Sequence, residues 1–562
     1  MKRILSLLLI FALVIICFVS CNGGNQDAKK LEKIEFSVTQ VEKKQQVEIA
    51  WGKTSYTAID ITVKHGDQIV TTQTVEAQSV QKALVDVYYG KHQVILEGKK
   101  DDKKVAEGTK EVALSTDEYI IAPISGSMPQ LYFTLNMKEI TKDYTIPSFV
   151  WLARPDSWNW DNLPENVYAM PNVNKSEVLK HNNYDKMVSY TDAYIEELYS
   201  INPNAKFYLY INDFNSYLYL KLLAGNGIPE ENYYVTLLSD GGASYNEFNI
   251  AFDSEDNNFD ADAKYADMAT KLTTLYTEVR NAKDYNPGGN FTVDTSTFNQ
   301  YAYVCAKEKD NVEWWILRPR EGVLCSPDKD FITIVLTTDK VEGVIEERNF
   351  ANPLKEMTDE EKSSLKSLYN FNNEIFEVAD KQNKKAMMIL GSWANPENEP
   401  DFESYTRFTK LYYGDEFVYY YKGHPNTPTS NYPDKQKQLT DLDLIDVESS
   451  INAELILFFY PDIYMCGYNS STFMSVEKPE MACAMFNMKK DACTAEYKNL
   501  IGIYLSKIDA ESEYASLCTE KEHTYFLAEY NDGSNTIGIY DDNAGTIKNY
   551  KVENGAFNEI TK

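Results

Sequence analysis

The hydrophobic residues of this chain change their period once, near Ala122-Pro123, and that change constrains the fold more than any single motif. From Leu31 to about Leu114, apolar and polar residues alternate in short segments at 34–38, 47–51, 59–63, 69–72, 83–87 and 92–96. A period of two puts one face of a strand inward, and turn residues such as Tyr89-Gly90-Lys91 separate the segments. Several such strands at near-regular spacing predict an antiparallel sandwich of immunoglobulin or fibronectin type. Tyr88-Tyr89 before the last segment reads either as a corner tyrosine or as an edge tyrosine. Beyond Pro123 the apolar residues come in unbroken runs at 148–152, 206–211 and 234–238, with helical stretches at 190–200 and 217–223. Strands buried on both faces and separated by helices require parallel pairing, hence a doubly wound α/β lobe.

A second pattern of the same kind follows, with strands expected at 385–390, 417–421, 455–459 and 463–467. Between the two patterns, 285 to about 378 reads as mostly helical or irregular, and Thr358 with Glu361 three residues later forms a capping box at a helix start. The tail is expected to hold a helix around 500–507 and strands at 524–528, 536–540 and 547–552. Turns fall at Asp532-Gly533 and Asn543-Ala544-Gly545. The expected organisation is therefore a leader over 1–20, a linker over 21–30 and an all-β immunoglobulin-like sandwich over 31–118. Two Rossmann-like lobes follow over 119–290 and 291–489, then an extension over 490–562.

The chain has 562 residues, and 55 Lys and Arg against 85 Asp and Glu give a formal charge of −30. That charge excludes nucleic acid as a partner, because binding a polyanion needs a basic face that releases counterions. At the amino terminus, Lys2 and Arg3 precede an apolar stretch from Ile4 to Val19, the pattern of an export signal. It is shorter than the roughly 20 residues a comfortable spanning helix needs. Phe18-Val19-Ser20-Cys21 resembles the lipobox of bacterial lipoproteins, with Phe18 where Leu is usual. The resemblance implies lipidation at Cys21 and a tether to the cell envelope, at the outer membrane or the cell surface. A plain secretory signal or an uncleaved anchor is the alternative. Past Cys21 the chain carries six cysteines, which permit three disulfides, but six allow fifteen pairings and spacing does not choose among them. There is no CxxC and there are five His, so a zinc site is not expected.

Residues able to do chemistry sit where apolar runs end. Leu237-Leu238-Ser239-Asp240-Gly241-Gly242 puts a carboxylate at the carboxyl end of a buried strand, where open α/β sheets bind ligands. Tyr421-Lys422-Gly423-His424-Pro425 repeats the arrangement with His in the second lobe, Gly423 allowing a tight turn and Pro425 fixing the backbone after it. Gly467-Tyr468-Asn469-Ser470-Ser471 follows another strand and reads as the opening of a helix. Hydroxyls and free N–H groups there suit an anion. Glu454 stands just before the run 456–459.

In this order the motifs resemble the bacterial sialyltransferases of glycosyltransferase family 80. That family carries a D-D-G motif holding a base, a K-G-H-P motif holding an acid, a Glu on the nucleotide ribose and a Ser pair on the phosphate. The matching residues here are Ser239-Asp240-Gly241, Lys422-Gly423-His424-Pro425, Glu454 and Ser470-Ser471. Segments at 202–207, 368–372 and 390–393 also look like family segments, and Trp393 is similar, within one position, to a Trp that closes over the acceptor. The resemblance spans about 119–486. It implies a GT-B fold of two Rossmann-like lobes, with Asp240 as base, His424 as acid, Lys422, Gly423, Pro425, Glu454, Ser470 and Ser471 on the donor, and Trp393 on the acceptor. It further implies inverting transfer of sialic acid from CMP-sialic acid to a terminal galactoside, without a metal or other cofactor. A transferase using another CMP-ulosonic acid such as Kdo, and a glycan-binding surface lipoprotein that has lost activity, are the alternatives. The sequence departs from the family pattern at three places: Ser239 replaces the first acid, Gly242 the usual Ser, and Ser244 stands where Glu often follows.

Overall fold

The structure is a computed structural model that describes residues 31–42, 44–171, 184–252, 260–281, 298–317, 344–348, 350–391, 396, 399, 402–425, 427–467, 472, 483–487, 524–529, 536–541, 546–553 and 556–561. The chain divides into two compact units, residues 1–114 and 115–562.

The first unit is all-β. Its strands are β1 (Glu32–Lys33), β2 (Phe36–Gln40), β3 (Gln46–Trp51), β4 (Ala58–His65), β5 (Gln68–Glu76), β6 (Lys82–Asp86), β7 (Gly90–Lys100) and β8 (Lys103–Leu114). They form a five-stranded sheet, β1-β8-β7-β4-β5, and a three-stranded sheet, β2-β3-β6, antiparallel throughout except for the short β1–β8 pair. Alternation works as expected: Val47, Ile49, Ile59, Val63, Val94 and Leu96 are all fully buried. Strand β8 was not foreseen, because its sequence, KKVAEGTKEVAL, buries few residues and is polar along most of its length. Tyr89 is buried, while Tyr88 stacks edge-on against His65 and His92.

The second unit holds two parallel sheets. The first contains β9 (Glu118–Ile124), β10 (Ser148–Leu152), β11 (Val167–Ala169), β12 (Lys206–Asn212), β13 (Tyr233–Leu238), β14 (Val312–Ile316) and β15 (Ile345–Glu347) in the order β11-β10-β9-β12-β13-β14-β15. Every pairing is parallel, and β10 is buried at all five positions. The second contains β16 (Lys385–Leu390), β17 (Phe417–Lys422), β18 (Ile445–Val447) and β19 (Tyr464–Gly467) in the order β18-β17-β16-β19, again all parallel. In both sheets the chain works outward from its first strand on one side and then crosses to the other, which leaves a crevice at the carboxyl ends where the direction reverses. These are two doubly wound lobes, the GT-B architecture. Between them, residues 348–371 pack on the first lobe, with Arg348 on Glu139, Lys138 on Glu361 and the Tyr369 hydroxyl on Thr134. The capping box is present, with Glu361 N–H on the Thr358 hydroxyl and Thr358 N–H on the Glu361 carboxylate.

Two parts of the sequence reading are corrected. Residues 455–459 are not a strand but part of a helix, Ala453–Phe459, with Tyr460 N–H donating to the Ile456 carbonyl at 2.9 Å. A short apolar run looks the same for a buried strand and a buried helix, and Ala453 to Leu457 are all buried, so no polar face betrays the period. The first lobe also does not stop near 290: β14 and β15 lie at 312–316 and 345–347 within the stretch read as irregular. Glu313 interrupts the first run, and the second, Ile-Glu-Glu, is too short and polar to register. The expected helix at 217–223 is present over 218–224, of π type over Leu220–Ala224. In the tail, β20 (Cys483–Asn487), β21 (Thr524–Glu529), β22 (Thr536–Asp541), β23 (Thr546–Glu553) and β24 (Ala556–Ile560) form an antiparallel meander. The expected helix around 500–507 and the turns at 532–533 and 543–545 lie outside the described residues, as do residues 1–30 with Cys21. No helix among the described residues is long and apolar enough to cross a membrane. Cys305 and Cys466 are buried free thiols, so the six cysteines do not make three disulfides.

Candidate active site

The carboxyl ends of both sheets line one cavity of about 200 Å³, whose walls include Gly126, Ser127, Arg154 and Asp240 from the first lobe and Gly391, Lys422, Gly423, His424, Pro425, Asn452, Glu454 and Thr472 from the second. A wider cavity of about 470 Å³ adjoins it, sharing Arg154, Pro425 and Asn452 and adding Asp156, Thr429, Asp446, Glu448, Ser449 and Ser450.

Asp240 follows β13 and is held by the helix Gly242–Phe252 that begins just after it. Its N–H donates to the Ser244 hydroxyl at 2.7 Å, and Gly241 N–H donates to the Ser239 hydroxyl at 3.1 Å. Ser239, at the position of the missing acid, is thus a buried backbone cap. The Asp240 carboxylate reaches across the crevice to the end of β9: a Cβ on Gly126 would lie 2.5 Å from its Oδ1, and Gly126 has φ +91°. Only a residue without a side chain permits that approach in that conformation. Burial pushes the Asp240 carboxyl up to about 6, with the Arg154 charge and the Asn212 amide acting against the rise. A carboxyl tuned so is still ionised at neutral pH, and it is a better proton acceptor than an exposed Asp.

On the opposite wall, Lys422 ends β17. It is buried, and its Nζ donates to the carbonyls of Gly423 at 2.8 Å and Ser449 at 3.0 Å. The ammonium therefore braces the turn that carries His424. Burial pulls Lys422 down to about 8, and the Glu454 carboxylate opposes the fall. His424 is pushed down to about 4, first by burial and then by the charges of Arg154 and Lys422, so its imidazole is neutral at pH 7 and has an N–H to donate. Gly423 does not adopt the left-handed backbone; its constraint is room, since a Cβ would lie 3.2 Å from the Tyr421 ring. Glu454, at the start of the helix Ala453–Phe459, is 5% exposed and accepts from the Thr472 hydroxyl at 2.7 Å.

Asp240, His424, Lys422, Gly423, Pro425 and Glu454 thus line one cavity. Ser470, Ser471 and Trp393 lie outside the described residues, although Thr472 and Gly391 beside them line the same space. Two site residues escaped the sequence reading. Arg154 follows β10, hydrogen-bonds the Ser127 hydroxyl and lines both cavities; its signal was its place, in Leu152-Ala153-Arg154-Pro155, just past a buried run. Asn452 lines both cavities with a buried Nδ2 that has no hydrogen-bond partner, an unmet donor that a ligand can satisfy. The helix Ser127–Leu135 begins at this wall too, turning free N–H groups and the positive end of its dipole toward the cavity. With two cations, a helix start and an uncharged imidazole, the site suits an anionic ligand, and Asp240 supplies a base beside it.

No family model matches the sequence, and a search of curated proteins returns no match. Among solved structures the chain is similar to a sialyltransferase from Photobacterium damsela, at 12% identity over 83% of this chain and 95% of that one, TM-score 0.49. It is similar as well to a 2,6-sialyltransferase from Photobacterium sp. JT-ISH-224, solved with CMP and lactose, at 14% identity over 80% and 87%, TM-score 0.48. A third is the α/β-galactoside α-2,3-sialyltransferase of Photobacterium phosphoreum, at 12% identity over 70% and 95%, TM-score 0.46.

Proposed function

We propose that this protein is a glycosyltransferase that moves sialic acid from CMP-sialic acid to a terminal galactoside, with inversion at the anomeric carbon and no metal. The observation that carries the reading is that Asp240 and His424, from the strand ends of different lobes, line one cavity with Lys422, Arg154 and Glu454. In the reaction a bond forms between the acceptor oxygen and C2 of the sialyl group while the bond from C2 to the phosphate oxygen breaks. Asp240 takes the hydroxyl proton, and positioned groups of this kind contribute roughly 10²- to 10⁴-fold. The electron pair leaves with CMP, whose phosphate receives the His424 N–H and the field of Arg154 and Lys422. Glu454, with one oxygen engaged by Thr472, keeps acceptor capacity for ribose hydroxyls. Ser470 and Ser471 are proposed on the phosphate and Trp393 over the acceptor. The acidic wall of the wider cavity, Asp446 and Glu448, suits the exocyclic amine of cytosine, a donor, better than the carbonyl that uracil has there.

The test is incubation of the protein lacking residues before Leu31 with CMP-sialic acid and lactose, with CMP-Kdo in parallel, read by mass spectrometry. Sialyllactose is the expected product. Transfer from CMP-Kdo alone would replace the donor. Glycan binding with neither transfer nor donor hydrolysis would replace the enzyme by a binding lipoprotein. The same proposal places the protein at the cell envelope, tethered through Cys21.

A further inference from the structure

One carboxyl beside the cavity has no part in this scheme. Asp213 opens the turn that follows β12, at the point where the strand order of the first sheet reverses. It is 1% exposed. The Trp314 indole N–H donates to its Oδ2 at 3.0 Å, and its Oδ1 is buried with no hydrogen-bond partner. Beside the carboxyl lies the Ser244 hydroxyl, the group that accepts the Asp240 N–H at 2.7 Å. The side chain is therefore a buried neighbour of the turn that carries the candidate base.

We propose that Asp213 is the positioning residue for Asp240, bracing the Asp240–Ser244 turn from the end of the neighbouring strand. The inference rests on the transferase reading for its kinetic part. Below pH 7, Asp213 works at that turn as a neutral acid. An orphaned buried oxygen costs more on a carboxylate than on a carboxyl group, and Asp240 is a like charge next to it. Burial first, then Asp240, push Asp213 up to about 7, while the polar groups of Ser244, Trp314 and the Asp240 backbone act against the rise. The 3-10 turn Phe298–Gln300 that packs on this turn brings no charged side chain, so among the described residues the charge acting on Asp213 is that of Asp240.

Two replacements test this. Asp213→Asn copies the neutral acid, whereas Asp213→Leu fills the space without an acceptor for Trp314 or a partner for Ser244. Asp213→Asn should keep kcat/KM within about threefold of the parent at pH 6.5. The parent should show two ionisations in kcat/KM, near pH 6 and near pH 7, and Asp213→Asn the first alone. Asp213→Leu should lose at least tenfold in kcat while CMP binds within about twofold. Independently of activity, the Asp213 carboxyl is raised in the fold, so its stabilising contribution is complete below pH 4 and is lost as pH rises to 7. The Tm of Asp213→Asn relative to the parent should accordingly climb from pH 4 to pH 7 and then level. A folded Asp213→Leu protein with parental kcat, or an Asp213→Asn protein that keeps both ionisations, overturns the proposal. If the parent shows no transfer, the transferase reading fails by itself. The Tm comparison then decides about Asp213: a climb sustains its role as the buried neutral brace, and a flat difference overturns it.

Discussion

At the scale of single residues, the site is an exercise in what burial does to ionisable groups. Asp240 is raised to about 6 by burial, so the rate should rise with pH through 6 as the base ionises. Asp240→Asn keeps the shape and removes the basicity. It should depress transfer by roughly 10² or more with CMP affinity retained, and full activity in that variant would remove Asp240 from the role of base. His424 behaves in the opposite sense: held near 4 in the free protein by burial and two cations, it regains proton affinity when a phosphate arrives beside it. CMP binding should therefore take up protons between pH 5 and 7 and tighten as pH falls. Calorimetry in two buffers of different ionisation enthalpy measures this, with His424→Ala as the variant that loses the uptake. The same uptake in both proteins would take His424 off the phosphate.

At the scale of elements, Glu399 joins the helix Pro433–Asp441 through an ion pair that never meets solvent. Lys435 Nζ lies 2.8 Å from Glu399 Oε2, both side chains fully buried, and the Tyr421 hydroxyl donates to Glu399 Oε1 at 2.9 Å. Gly391, which lines the cavity, presses on the same cluster: a Cβ there would lie 2.4 Å from the Tyr421 oxygen and 2.5 Å from Glu399 Oε1. Removing one partner of a buried pair leaves the other charge uncompensated, at a cost of about 3 to 5 kcal/mol. Lys435→Met should lose roughly that stability in denaturant unfolding, and Lys435→Met with Glu399→Gln should recover much of it. Lys435 Nζ also lies 3.0 Å from the centre of the Phe402 ring, and equal losses in the single and double variants would show that this packing, not charge, sets the stability of the cluster.

At the scale of the whole molecule, the division at residue 114 leaves every described wall of both cavities in the second unit. A protein of residues 115–562 should accordingly fold and bind CMP as tightly as one beginning at Leu31, by calorimetry. A tenfold loss would assign part of the site to the first unit. The leader makes a separate prediction. Cys21→Ala should yield an unprocessed or soluble protein on fractionation, and continued membrane association at the same mature size would exclude lipidation at Cys21.

Sequence alone determined the class of each lobe, because period is local: Val47 and Ile49 alternate with polar neighbours, while 148–152 is apolar throughout, and only a two-sided parallel sheet buries such a run. It also located Asp240 and His424, since a polar residue just past a buried strand must emerge at the sheet's carboxyl edge. Where local period was ambiguous or absent, as at 455–459 and 345–347, the reading failed, for there the environment and not the propensity selects the element. Only the tertiary structure decided which strand ends face one another. That choice brings Arg154 and Asn452 to the cavity, sets Gly126 against Asp240, buries Asp213 against Trp314, and fixes the proton affinities of Asp240, His424 and Lys422. Each of these depends on what surrounds a group after the chain has closed, and residues distant in sequence supply those surroundings.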